Sequence, residues 1–191
     1  MSMNKSKHNG FTILELMVVV AMMGVLMAVG IPTFNTMITT NELAETTNDL
    51  VLSLKRARAE AISSGRDAVV CSTADGFTCS GVAGRWTTGW LVFVDRNMDG
   101  QYKESDGELV WSKAMDGKTR NTITPSPLAG LTNDFTHTVL FSYTGELKDG
   151  TAGGFQICSG VTGSGYPRRD VTVTVGGEAQ FIRNTVAANN C

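Results

Sequence analysis

Residues Gly10 to Pro32 read GFTILELMVVVAMMGVLMAVGIP, and the class of the chain turns on this stretch. From Phe11 to Ile31 it holds twenty-one residues, apolar apart from Thr12, Glu15 and two glycines. As a helix rising 1.5 Å per residue, that length reaches about 30 Å, the thickness of a bilayer core. A short polar leader, MSMNKSKHNG, precedes it and carries Lys5 and Lys7. Basic residues there keep the N-terminus in the cytoplasm and send the C-terminal bulk across. An ordinary secretory signal shares the basic start and the apolar run. Here, however, the run leads through Gly30, Ile31 and Pro32 into a long helical pattern rather than to a small-residue cleavage site. Glu15 stands early in the run, and an acidic side chain costs roughly 2.5–3.5 kcal/mol at mid-bilayer, less near an edge. A charge so placed needs a partner.

The segment Gly10-Phe11-Thr12-Ile13-Leu14-Glu15-Leu16 resembles the leader of type IV pilins and pseudopilins. In those proteins a prepilin peptidase cuts after the glycine and N-methylates the new terminal phenylalanine. The resemblance implies processing at Gly10 and Phe11 on the cytoplasmic face, with Glu15 as the fifth mature residue. It also implies that Pro32 stands where pilins carry a helix-kinking proline. The physics agrees: Glu15 is able to neutralise the α-amino group of Phe11 on a neighbouring subunit, so two charges too costly alone become acceptable as a pair.

Beyond a leader of ten residues, 181 remain, enough for one anchored helix and one modest soluble domain. Sixteen basic and eighteen acidic residues give a net charge of −2, so nothing global points to a polyanion. Cys71, Cys79, Cys158 and Cys191 all lie beyond the apolar run, on the side that topology places in an oxidising compartment, and disulfides are expected. Four cysteines allow three connectivities, and proximity favours Cys71–Cys79 and Cys158–Cys191. A zinc site is disfavoured because no C-x-x-C spacing occurs and His137 is the lone histidine of the processed chain.

After Pro32 the pattern is helical to about Ser63, with Leu43, Leu50, Leu54, Ala57 and Ala61 on one face and Gly65 as a C-cap. Intramolecular packing is expected from Leu50 onward, and contact between subunits before it. Joined to the apolar run, the helix would be about 75 Å long. From Asp67 the period becomes that of strands, in segments beginning at Ala68, Gly89, Glu108, Thr138, Gly154, Val171 and Ala179, separated by turn signals such as Asp99-Gly100 and Gly176-Gly177. Lys118–Asn133, with Pro125 and Pro127, reads as a long surface loop. The cysteine-bearing first strand, Gly-Trp-Leu-Val-Phe before an Asp/Asn-rich turn and Gly-Glu-Leu, and a late Ile-Cys strand before a final hairpin resemble the GspH/FimT branch of the pilin superfamily. The expected fold is therefore α+β, a long N-terminal transmembrane and amphipathic helix on an antiparallel β-domain. Its divisions are residues 1–10 (leader), 11–31 (membrane half of the helix), 32–64 (amphipathic half) and 65–191 (extracytoplasmic β-domain).

Asp95, Asn97, Asp99 and Asp106 fit the spacing of a calcium loop, D-x-[DN]-x-[DN]-G, with Asp in place of the terminal Glu. The flanks read as strands rather than helices and Lys103 replaces an oxygen donor, so a hairpin turn is expected first and calcium second. Catalytic patterns are absent from the sequence: there is no G-x-S-x-G, no H-E-x-x-H and no Walker-type loop, so neither an enzyme nor a cofactor is expected. Some FimT-like minor pilins act as DNA receptors through a C-terminal Gly-Arg-x-Arg motif. The corresponding hairpin here reads Gly177-Glu178-Ala179-Gln180, which departs at both arginines, while Arg168, Arg169 and Arg183 remain nearby as candidate phosphate contacts. Solvated loop arginines are the favoured reading, and DNA is not an expected partner.

The resemblance thus implies a minor pilin of the FimU type in a type IV pilus, or alternatively an H-type pseudopilin of type II secretion, or a DNA-binding minor pilin in natural transformation. The implied partners are other pilins, prepilin peptidase and the inner-membrane assembly platform. The implied location is a single-pass inner-membrane anchor with a periplasmic domain, then the fibre.

Overall fold

The computed structural model describes residues 10–82, 84–115, 121–125, 135–160 and 168–184. One helix, α1 (Ile13–Ser64), carries both the apolar run and the amphipathic stripe. The chain divides into two compact units, Met1–Ile38 and Thr39–Cys191, so α1 contributes to each. The helix stops at Gly65, whose φ of 64° is the left-handed conformation that glycine adopts without penalty, and Arg66 N donates to Ala61 O across it.

Among the described residues of the second unit, eight antiparallel strands form two four-stranded sheets. Sheet A orders as β3 (Leu109–Ala114), β2 (Gly89–Val94), β1 (Ala68–Ser72) and β5 (Thr138–Phe141). Sheet B orders as β4 (Thr122–Pro125), β6 (Gly153–Cys158), β7 (Arg168–Val173) and β8 (Ala179–Asn184). The main core gathers Leu43, Leu50, Leu54, Ala57 and Ala61 of α1 with Val70, Trp90 and Val92 of sheet A and Phe155, Ile157 and Val171 of sheet B. Leu43, Thr46 and Thr47 are buried as well, so packing of the helix on its own domain starts well before Leu50, where contact between subunits was expected. The strand β2 is buried on both faces, as a continuous apolar run requires. Its outward side chains Leu91 and Phe93 join Val69 and Cys71 in a second small core, covered in part by Cys79 and Tyr102.

Two features differ from the expectation. The presumed loop Lys118–Asn133 contains β4, which pairs with β6 from Thr122↔Cys158 to Pro125↔Phe155. Its one aliphatic side chain, Ile123, is buried, and a proline at the end of an edge strand costs the ladder little. The rest of that presumed loop lies outside the described residues, apart from Asn121, whose Nδ2 donates to Thr46 Oγ1 at 2.9 Å. The strand expected to begin at Val171 starts at Arg168, so three charged residues enter the ladder. The expected antiparallel β-domain is divided between the two sheets. The turns after β5 and β7 meet closely: an added Cβ at Gly177, φ 74°, would lie 2.0 Å from Gly145 O, the same oxygen that accepts from Arg58 Nε at 2.9 Å. Only glycine fits there.

Candidate functional site

At the N-terminal end of α1, Thr12 is the residue before the first helical turn. Its Oγ1 accepts from Glu15 N at 3.2 Å, while Thr12 N and Oγ1 both donate to Glu15 Oε2 at 3.3 Å. This reciprocal capping box satisfies helix N–H groups that have no partner of their own. The pattern T-x-x-E was present in the sequence, yet Glu15 was assigned only to a partner across subunits. Gly10 and Phe11 precede the cap and are exposed. So are the apolar side chains that follow: Phe11 is 85% exposed, Ile13 81% and Leu26 72%. The expected membrane span over 11–31 meets a limit here: among the described residues no helix is long and apolar enough to cross a membrane. Described side chains of this segment run from Gly10 to Ala28, shorter than the apolar run of the sequence, and Pro32 is described as backbone alone.

The connection from β2 to β3 carries Asp95, Asn97, Asp99 and Asp106, of which Asn97 is hydrogen-bonded to Asp99 and Asp106. Asp95 Oδ2 accepts from Gly100 N at 3.0 Å, Asn97 Oδ1 from Asp99 N at 3.0 Å, and Asp99 Oδ1 from Gln101 N at 2.8 Å. Asn97 Nδ2 donates to Asp99 Oδ2 at 3.2 Å and Asp106 Oδ2 at 2.9 Å, and Lys103 Nζ pairs with Asp99 Oδ2. The Lys103 ammonium holds the Asp99 carboxyl below the ordinary carboxylate range, and Asp99 in turn raises Lys103. Tyr102 fastens the loop to sheet A, its ring 5.7 Å from that of Phe93. Glu108, which the sequence reading did not single out, is 1% exposed, and its Oε1 accepts from Arg96 N at 2.9 Å. A glutamate in a Gly-Glu-Leu step carries no sign that it is buried. Among the described residues no group of three or more His, Cys, Asp or Glu side chains is assembled to hold a metal ion.

Arg168 and Arg169 do not converge on one site. Arg168 makes a two-pronged pair with Asp170, Nε to Oδ1 at 2.8 Å and Nη2 to Oδ2 at 2.9 Å. Arg169 is 7% exposed on the core side of β7, its guanidinium 5.7 Å from the Phe181 ring. Arg183 lies opposite Arg169 in the β7–β8 register and is described as backbone alone. The register places Arg168 and Arg169 in a strand, not on a solvated loop as expected.

Cys71 and Cys79 form a disulfide with Cα atoms 5.6 Å apart. Inside that small loop, Asp75 accepts from Phe77 N, Thr78 N, Thr78 Oγ1 and Thr73 Oγ1, and these donors hold its carboxyl well below the usual carboxylate range. Cys158 is also disulfide-bonded; Cys191, its expected partner, lies outside the described residues, as do Lys5 and Lys7.

A capped helix start beside a Gly-Phe junction, followed by a helix seated on antiparallel sheets, is matched by two family models. The model described as type II transport protein GspH covers residues 46–177, and that of the prokaryotic N-terminal methylation motif covers residues 5–31. The chain belongs to the GspH family. As a GspH-family, pilin-like chain it is a structural subunit and not an enzyme. The type IV major fimbrial protein FimA of Dichelobacter nodosus is 38% identical over 104 residues, 54% of this chain and 61% of that protein. A second fimbrial protein of Dichelobacter nodosus is 38% identical over 101 residues, 53% of this chain and 59% of the relative. The chain thus spans about three fifths of the length of these curated relatives. The crystal structure of the type IV minor pilin FimU of Pseudomonas aeruginosa shares the fold, with a TM-score of 0.55 at 19% identity over 80% of this chain and 96% of that one.

Proposed function

We propose that this GspH-family chain is cut after Gly10, N-methylated at Phe11, and built into a helical fibre through the first half of α1, as a minor pilin of a type IV pilus. The observation that carries this reading is the run of exposed apolar side chains from Phe11 to Met27, interrupted by one carboxylate near its start. Such a surface is unfavourable in water. In the apolar run of the sequence it suits a bilayer first, with the β-domain on the periplasmic side, and neighbouring subunits afterwards. Glu15 then pairs with the α-amino group of Phe11 on an adjacent subunit, and prepilin peptidase and the inner-membrane assembly platform are the partners required. Beyond Pro32, Phe34, Met37 and Ile38 are still exposed, and burial begins at Thr39.

An H-type pseudopilin of type II secretion would use the same helix in the same way, and membership of the type II transport protein GspH family supports it as the second reading. A DNA-receptor role draws no support from Arg168 and Arg169, one paired with Asp170 and the other buried. The experiment is Glu15→Ala followed through processing and assembly. Cleavage should persist, while recovery of the variant in sheared fibres should fall severalfold or more; incorporation at the wild-type level would refute assembly through this charge.

A further inference from the structure

Two carboxylates in the β2–β3 connection are buried, Asp95 at 7% exposure and Glu108 at 1%. In each, one oxygen accepts a backbone N–H of the loop, from Gly100 to Asp95 Oδ2 and from Arg96 to Glu108 Oε1. The other oxygens, Asp95 Oδ1 and Glu108 Oε2, are buried without a hydrogen-bond partner. Because the two oxygens of a carboxylate share one carbon, both orphan atoms belong to the same loop as their bonded twins. A buried anionic oxygen without a donor is costly, and two within one short connection mark a place where positive charge is wanted.

Three oxygen-bearing side chains of the loop are already oriented by its backbone. N–H groups of Asp99, Gly100 and Gln101 aim Asn97, Asp95 and Asp99, and Gly100 takes φ 70°, at the position where a calcium loop needs its sharp turn. We propose that this loop binds a divalent cation, calcium, through Asp95, Asn97, Asp99, Asp106 and Glu108, with Lys103 giving way to it. The donors are all oxygen, which suits a hard cation, and a hairpin loop adapts to the irregular geometry that calcium accepts and magnesium does not.

Binding of the ion requires two side chains to give way. Lys103, half-exposed, leaves Asp99 for solvent, and the Asn97 amide turns so that its oxygen rather than its Nδ2 faces Asp99 and Asp106. In the absence of the ion Lys103 balances the charge of Asp99, and Asn97 Nδ2 donates to Asp99 and Asp106. Glu108, two residues past the terminal position of the helix-flanked calcium loop, supplies the carboxylate that Asp106 alone is too short to match. Competition from a tethered ammonium makes the site weak, with a Kd on the order of 10⁻⁴–10⁻³ M, the range of extracellular calcium modules. Since Tyr102 anchors the loop on Phe93, the ion would stiffen the outer side of sheet A.

The test is calorimetric titration of the full chain in detergent micelles, stripped of metal, with calcium chloride and separately with magnesium chloride, alongside thermal unfolding. A single saturable calcium site is expected, with a rise in Tm reversed by chelator and little response to magnesium. Glu108→Gln should weaken binding about tenfold or more, and Lys103→Gln should tighten it. Should Glu108→Gln fail to fold, Asp99→Asn at the loop surface must show the same weakening. Absence of saturable binding up to about 10 mM calcium in both the wild type and Lys103→Gln overturns the proposal, and so does calcium binding that is indifferent to the carboxylate substitutions.

Discussion

The indole Nε1 of Trp90 donates a hydrogen bond to Ser53 Oγ at 2.8 Å, and both residues are buried. Ser53 in turn donates to Asp49 O at 2.6 Å, so one hydroxyl ties the centre of sheet A to the helix backbone. Ser53→Ala would leave the indole N–H without an acceptor in the core. An unsatisfied buried donor costs about 1–3 kcal/mol, and thermal unfolding should show a drop in Tm of several degrees. An unchanged Tm would mean that this bond contributes nothing.

The arginines of β7 are predicted to support the fold rather than to contact phosphate. Arg169→Gln removes the guanidinium over Phe181 from a buried site, and Arg168→Gln dissolves the pair with Asp170. Both should lower Tm, Arg169→Gln by more because it is the more buried. In a gel shift with duplex DNA at moderate salt, the wild-type chain should show no retarded band. A tight complex lost on these substitutions, and weakening steeply with salt, would require a receptor role instead.

Asp75 gives the short disulfide loop a dependence on acid. Its folded-state pKa lies below the unfolded one because four donors converge on its carboxylate. Its contribution is therefore complete above about pH 4 and is lost as the pH falls below that. Amide exchange should show the protection factors of Phe77 and Thr78 falling between neutral and acidic pH, while those of β2 hold. In Asp75→Ala they should be low at every pH. Equal protection in the variant would show that the disulfide alone orders the loop.

Non-reducing peptide mapping should find no free thiol and should join Cys158 to Cys191. These two are 33 positions apart, against a separation of 8 for Cys71 and Cys79. On a chain-entropy basis the longer closure contributes about 1.3 kcal/mol more. Serine replacement of Cys158 and Cys191 should accordingly lower Tm further than replacement of Cys71 and Cys79. The reverse order would place the strain or the packing, not the loop length, in control.

The parts of the fold that were legible in sequence are those where one periodicity dominates. The stripe from Leu43 to Ala61 reads as a helix face, Gly-Trp-Leu-Val-Phe-Val reads as a strand, and Gly65 reads as a stop; α1, β2 and the cap agree with this. Thr122–Pro125 was illegible because one isoleucine between two threonines gives no period, and its pairing with β6 is decided by contacts distant in sequence. Charge concealed the rest. Arg168, Arg169 and Asp170 read as a loop, yet each takes a place in the β7 ladder, and a cross-strand neighbour rather than local preference decides this. For the candidate sites, the residue types and spacing of Gly10, Phe11 and Glu15 were readable from the chain, whereas the burial of Glu108 and its orphan oxygen depend on how β2 and β3 bring their ends together.

The central claim is that α1 begins, in the working protein, at a processed Phe11 and serves as the assembly element. Intact-mass and N-terminal peptide mass spectrometry of the protein recovered from the membrane or from sheared fibres tests this most directly. The account predicts a chain that starts at Phe11 and carries one methyl group on its α-amino nitrogen, with the unprocessed chain accumulating when Gly10 is replaced by a bulky residue. A mature protein that retains residues 1–10, or that begins beyond the apolar run, would contradict it.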